Sequence, residues 1–418
     1  MSSRRLLSTC LLALLPLATA HAVEFSQAEL ARAKALQERL VTLDTHLDTP
    51  ANFERPGGFD ILAAHPGSPL SQVDYPRMVQ GAFDGGFWAI YTGQGDRSER
   101  AHLQDRDAGL QRLIAIKQML AAHADKFELA TTPADAARIK AEGKRVVYIS
   151  MENASPLVAD PSLLEFYYKQ GLRLMSTVHF LDNEFADSAT DPKGPEWHGL
   201  SPAGKALVEH AQKLGIVIDQ SHASDAVFDD LIAMSPVPIL LSHSSSRAMR
   251  DHPRNLDDVR LKVLAAHGGV IQLNSYSGYL IDDGATPERQ AALKALQDKY
   301  DEERMTMADG ERFAAELKAL DARYPVRKAT LDDFFVHLQH VLELIGPEHV
   351  GIGMDWDGGG GVQGMEDVSD LPKITAWLLR KGYSERQIAG IWGGNVLRVM
   401  RQAQDWAAAQ QAPATAGR

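Results

Sequence analysis

His46 and Asp48 lie in the segment DTHLD (44–48), where a short apolar run ends in two metal-capable side chains one residue apart. In a strand, i and i+2 neighbours project from the same face. The pair can therefore present an imidazole and a carboxylate to one ion. The arrangement recurs along the chain: Glu152 ends a run in SMEN (150–153), His222 in DQSH (219–222) and His243 in LSHS (241–244). Any one of them alone reads as a capping or loop residue. Together, three imidazoles and two carboxylates suffice for a pair of divalent ions if one carboxylate bridges them. Glu152 is the candidate bridge, with His46 and Asp48 toward one ion and His222 and His243 toward the other.

Two such ions roughly 3.5–4 Å apart can activate a shared water and polarise a carbonyl. Other residues at strand ends fit that chemistry. His179 could donate a hydrogen bond to the oxyanion of a tetrahedral intermediate. Asp355, in GMDWDG (353–358), could carry a proton to a leaving amine, and Asp357 competes for that role. Arg254 could pair bidentately with a substrate carboxylate. The glycine run 358–361 lacks the Lys-Ser/Thr of a phosphate loop and instead leaves room beside the ligands, and GLSPAG (199–204) lacks the nucleophile elbow of serine hydrolases.

These residues need elements to position them. Apolar, β-branched runs at 41–45, 86–91, 145–151, 172–178, 215–220, 237–242, 269–274 and 350–354 alternate with helical periodicity, for instance over 100–123, 201–214, 224–234 and 257–267. Ser201 before Pro202, and Ser224, are good helix starts. Eight strands with intervening helices predict a (β/α)8 TIM barrel, whose site gathers at the carboxyl ends of the strands. Residues 51–80 read as a long loop over the mouth. Residues 282–330, rich in charge and alanine, read as a helical insertion before the last strand, either a lid or partner surface or an outer layer packed on the barrel. One catalytic domain, 23–405, is expected, followed by a flexible tail at 406–418.

The chain has 418 residues, 44% of them hydrophobic, enough for one large core. Residues 1–22 carry Arg4 and Arg5, an apolar run and small residues at the end, which reads as an export signal of the general secretory or twin-arginine kind. The expected location is the bacterial periplasm or the exterior, with no membrane span in the mature chain. The single cysteine, Cys10, falls inside that signal, so neither a disulfide nor a thiolate ligand is expected afterwards, and a His and carboxylate set favours zinc. The formal charge is −12, and a basic surface for nucleic acid is lacking.

With these residues identified, the chain resembles the membrane (renal-type) dipeptidase family, the M19 peptidases. The resemblance rests on DTHLD (44–48), GGFWAIY (85–91), Met151 with Glu152, TVH (177–179), GLSP (199–202), IDQSH (218–222), LSHSS (241–245), Arg254 with Asn255, and GMDWDG (353–358). It implies a (β/α)8 barrel with two zinc ions per subunit. The implied ligands are His46, Asp48, Glu152, His222 and His243, with Glu152 bridging. The substrate would be a dipeptide, including some with a D-residue at the carboxyl end, met by His179, Arg254 and Asp355. The resemblance thus decides between Asp355 and Asp357. Animal members carry disulfides and a lipid anchor that this sequence does not match, and the 282–330 segment is longer, which leaves substrate range and a homodimer as matters for experiment. Two alternatives to a dipeptidase are an amidohydrolase acting on another small amide or lactone, and a metal-binding barrel without turnover.

Overall fold

The short apolar runs pair edge to edge in a computed structural model that describes residues 23–300 and 305–411. The strands are β1 (Leu43–Leu47), β2 (Gly85–Tyr91), β3 (Phe127–Leu129), β4 (Arg145–Glu152), β5 (Leu172–Ser176), β6 (Val217–Asp219), β7 (Leu240–Ser244), β8 (Val270–Leu273) and β9 (Val350–Ile352). The order is β1-β2-β4-β5-β6-β7-β8-β9, and every pairing is parallel. β9 returns to β1 through a bridge between Leu47 and Trp356, where the Asp48 N–H donates to the Trp356 carbonyl at 2.9 Å. The result is the predicted TIM barrel, nearly closed. β3 was not anticipated: it is a short edge strand paired only with β4, outside the ring.

Strand alternation separates inside from outside. On β4, Val146 and Tyr148 join Leu43, Phe87, Leu174, Val217, Leu240 and Val270 in one buried cluster, while Val147, Ile149 and Met151 face the helices in another. The first cluster fills the barrel, and Val396, Val399 and Met400 of the helix Asn395–Gln411 close its floor. By the same alternation Glu152 shares the inward face of Tyr148. That closing helix runs through 406–411, and Ala407 is buried on it, which corrects the placement of those residues in a flexible tail. Residues 412–418 and the expected export signal at 1–22 lie outside the described residues.

Helices Glu99–Ala122, Pro202–Leu214, Asp225–Met234 and Asp258–Ala266 form where periodicity placed them. Ser201 and Ser224 cap two of them by accepting the Gly204 and Val227 N–H groups. The 51–80 segment differs from a plain loop, because it contains the short helices Pro50–Phe53 and Tyr75–Gln80, each with proline in its first turn. In the insertion, helices Pro287–Lys299 and Met307–Arg323 are tied by Arg289–Asp321 at 2.7 Å and Lys299–Glu316 at 2.6 Å. They border the mouth: Gly310 packs against Leu70, and Arg55 Nη1 donates to the Met305 carbonyl at 3.3 Å. No helix among the described residues is long and apolar enough to cross a membrane.

Candidate metal centre and active site

At the carboxyl ends of the strands, His46, Asp48, Glu152, His179, His222, His243, Arg254 and Asp355 are all buried. Two of them owe their aim to irregular pairing. Leu43 and Leu240 point into the barrel, so strict alternation would turn His46 and His243 outward. Register shifts intervene between Asp44 and Leu47 on β1 and between Leu241 and Ser244 on β7, and such bulges re-aim a side chain. His222 and Asp355 follow their strands in left-handed conformations, with φ of +73° and +67°. Non-glycine residues there store strain that the surrounding structure must hold.

The carboxylate of Glu152 is central. Its Oε2 lies 3.2 Å from His46 Nε2, which lies 3.2 Å from Asp48 Oδ2. Its Oε1 lies 3.0 Å from His222 Nε2 and 3.4 Å from His243 Nε2, and those nitrogens are 2.8 Å apart. His179 Nε2 is 3.9 Å from the same Oε1, and Asp355 Oδ1 is 4.0 Å from His46 Nε2. Donor atoms bonded at roughly 2.0–2.2 Å around a tetrahedral ion stand a little over 3 Å apart, so these spacings suit ligands converging on shared centres. Three overlapping groups could hold an ion: His46 with Glu152 and His243, Glu152 with His179 and His222, and His46 with Asp48 and Asp355. Among the described residues Asp48 Oδ1 is buried without a hydrogen-bond partner, and His46 Nε2, though flanked by the Asp48 and Glu152 carboxylates, makes a well-aligned hydrogen bond to neither; a cation would engage both.

Burial and charge divide the cluster. Burial opposes charge on His46, yet Glu152 and Asp48 hold its pKa well above the usual imidazole range. Glu152 is likewise disfavoured by burial but held well below the carboxylate range by His46 and His179. Burial, reinforced by Arg254 at His222 and by His46 and then Arg254 at His243, depresses both imidazoles, and burial depresses His179. Asp355 is raised well above its ordinary value by burial and then by Asp48 and Glu152.

Supporting residues escaped the sequence reading. Asp44 accepts the His46 N–H at 2.9 Å and the Met354 N–H at 3.0 Å, clamping β1 to the end of β9. Asp219 accepts the Ser242 N–H at 2.8 Å and the Ser242 hydroxyl at 2.5 Å, and that hydroxyl lies 2.8 Å from His243 Nδ1. Each sits within three residues of a ligand candidate, a signal visible in the sequence. Asp357, the rival of Asp355, is engaged elsewhere: it accepts the Gln72 N–H at 2.5 Å and the Thr49 hydroxyl at 2.7 Å, anchoring the 51–80 segment. A Cβ at Gly358 would strike the carboxylates of Asp48 and Asp355, so the glycine does provide room.

Above the cluster lies a cavity of 220 Å³ reached by Asp48, Glu152, His179, His222 and Asp355. That is below the roughly 300–1,000 Å³ of drug-sized sites and suits a small ligand. Phe180 and Tyr276, both partly exposed, flank its entrance. Arg254 lies behind Tyr279, its guanidinium 5.4 Å from that ring's centre, with Nη1 on Ser244 Oγ at 2.8 Å and Nη2 on the His243 carbonyl at 3.0 Å. Its Nε has no hydrogen-bond partner among the described residues.

A barrel with metal-capable side chains buried at one mouth places the chain in the class of TIM-barrel metal-dependent hydrolases. Within that class the family is specific: residues 30–414 match the membrane dipeptidase family, peptidase family M19, and the chain belongs to it as a dipeptidase. The dipeptidase tcpJ of Claviceps purpurea is 30% identical over 344 residues, covering 81% of this chain and 71% of the relative. The structure of the probable dipeptidase PvdM from Pseudomonas aeruginosa superposes with a TM-score of 0.78 at 28% identity, covering 91% of this chain and all of that one. A metallo peptidase from Rhodobacter sphaeroides, solved with a phosphinate mimic of L-Ala-D-Ala, shares the fold at a TM-score of 0.69 and 24% identity, over 87% of this chain and 99% of that one.

Proposed function

We propose that this dipeptidase is exported and uses two zinc ions, with His46, Asp48 and Glu152 holding one and Glu152, His222 and His243 the other. The observation that carries the reading is the division of the Glu152 carboxylate, one oxygen facing His46 and the other facing His222 and His243. Family membership and the sulfur-free donor set support zinc, and the leader-like residues 1–22 support export. Bound ions would polarise the scissile carbonyl and lower the pKa of a water held between them.

The chain's own residues supply the rest. Arg254 keeps three N–H groups beyond those given to Ser244 and His243, and takes the free carboxylate of the dipeptide. His179, beside the cavity and 3.9 Å from Glu152, donates to the carbonyl oxygen as charge develops there. Asp355 lines the same cavity opposite and moves a proton to the departing amine. Among the described residues no lysine lines this cavity, so the carbamylated-lysine bridge of many amidohydrolases has no counterpart here. Substrates with a D-residue at the carboxyl end belong to the proposal through the family. The test is hydrolysis of L,L and L,D dipeptides before and after chelation, with zinc restored afterwards. Activity lost and then recovered supports the reading, and activity that survives complete metal removal overturns it.

A further inference from the structure

Two arginines also line the cavity that the metal-capable cluster reaches. Arg55 follows the helix Pro50–Phe53 and Arg112 lies on the helix Glu99–Ala122, and both are more than nine-tenths buried. Arg55 is fastened by Nε to Asn52 Oδ1 at 2.6 Å and by Nη1 to the Met305 carbonyl at 3.3 Å. Arg112 uses Nε in an ion pair with Glu54. Its Nη1, also buried, has no hydrogen-bond partner among the described residues. A cation with an unpaired N–H in a cavity wall is costly unless an acceptor arrives. The planar guanidinium fork suits a carboxylate better than a neutral carbonyl.

The position of this pair decides which part of a substrate it meets. Arg55 and Arg112 stand over β1 and β2, on the segments that follow those strands, whereas Arg254 follows β7. In the ring order β7 lies across the barrel from β2. If Arg254 takes the carboxyl terminus of a dipeptide and the scissile bond lies over the metal-capable cluster, the amino-terminal residue extends toward Arg112. Phe180 and Tyr276 flank the entrance with apolar surface, so the cationic wall is what discriminates there.

We propose that the Arg112 wall, buttressed by Arg55, is a specificity subsite for an acidic side chain on the amino-terminal residue, making N-terminal glutamyl and aspartyl dipeptides preferred substrates. The proposal rests on the dipeptidase reading and on Arg254 as the carboxylate anchor. Its experiment compares kcat/KM for Glu-Ala, Gln-Ala and Lys-Ala, with Ala-Ala as reference, on the metal-loaded enzyme. Glutamine has nearly the shape of glutamate without its charge, so a charge-assisted bond should favour Glu-Ala over Gln-Ala at least about tenfold, with Lys-Ala poorest. In Arg112→Met that ratio falls to about one, and Arg112→Glu reverses it in favour of Lys-Ala. Ratios taken within one preparation are insensitive to a fraction of misfolded protein, and the wild-type ratio alone decides the matter if a variant does not fold. A wild-type ratio of one or less overturns the proposal while leaving the dipeptidase reading intact. An equal loss for all substrates in Arg112→Met also overturns it, and assigns Arg112 to the carboxyl terminus or to packing. Failure to hydrolyse any of the four dipeptides removes the dipeptidase reading and this proposal with it.

Discussion

The Ser242 hydroxyl gives its only proton to Asp219 at 2.5 Å, so at His243 Nδ1, 2.8 Å away, it must accept. His243 then carries its proton on Nδ1 and turns the lone pair of Nε2 toward Glu152 and the centre. A buried carboxylate thereby sets the tautomer of a ligand candidate through one hydroxyl. Hydrogen bonds of this kind orient ligands and raise their basicity.

Removing that hydroxyl gives the first prediction. Ser242→Ala should weaken zinc binding by about 10–100-fold, measured by competition with a chromogenic chelator, with little change in secondary structure. Unchanged affinity would show that the bond does not govern the tautomer.

Space is as strictly set as charge beside Asp48 and Asp355. Gly358→Ala places a methyl group against both carboxylates. Displacement by even an ångström at such a centre costs about 100-fold in rate, so kcat/KM for a good dipeptide should fall by that order while the melting temperature moves little. Activity near wild type would mean the loop yields and the contact is unimportant.

How much of this was legible in the sequence depends on range. The barrel strands were readable as apolar runs, and the cluster residues because each ends such a run. β3 was not, because Phe127-Glu128-Leu129 has neither the β-branched residues nor the continuous apolar run that mark β6 and β9. Nor did the sequence reveal that register shifts turn His46 and His243 inward, since a bulge is set by the neighbouring strand. The left-handed backbone at His222 and Asp355 carries no glycine to announce it. Asp219 and Asp44 were missed, although each lies close to a ligand candidate in sequence, because their bonds to Ser242 and Met354 join segments far apart in the chain. Arg112 was missed because it lies mid-helix, where arginine is ordinarily solvated.

Acid stability should report on His337, away from the metal-capable cluster. Its buried ring accepts the Ser246 N–H at Nδ1 and meets the Leu280 carbonyl at Nε2, 3.0 Å away. Burial lowers its pKa from 6.5 to about 4. A depressed folded value means the unfolded chain binds the proton first, so this contribution is complete above pH 6.5 and is lost as pH falls toward 4. The loss amounts to about 3 kcal/mol. Urea midpoints at both ends of that window, with chelator present throughout, should drop less in His337→Gln than in wild type. Equal drops would remove His337 from the account.

The 51–80 segment should depend on Asp357, which accepts from Gln72 and Thr49. Asp357→Ala should raise KM by about tenfold, since substrate-positioning elements act through orientation, and should expose the segment to limited proteolysis. A KM within twofold of wild type and an unchanged cleavage pattern would show that other contacts suffice.

The central claim is that Glu152 joins two ions. Titrating metal-free protein with zinc and counting bound equivalents by native mass spectrometry tests it most directly. The account predicts two zinc ions per wild-type chain and fewer than two in Glu152→Ala at the same free zinc. Saturation of the wild type at a single ion, or two ions retained without Glu152, would contradict it.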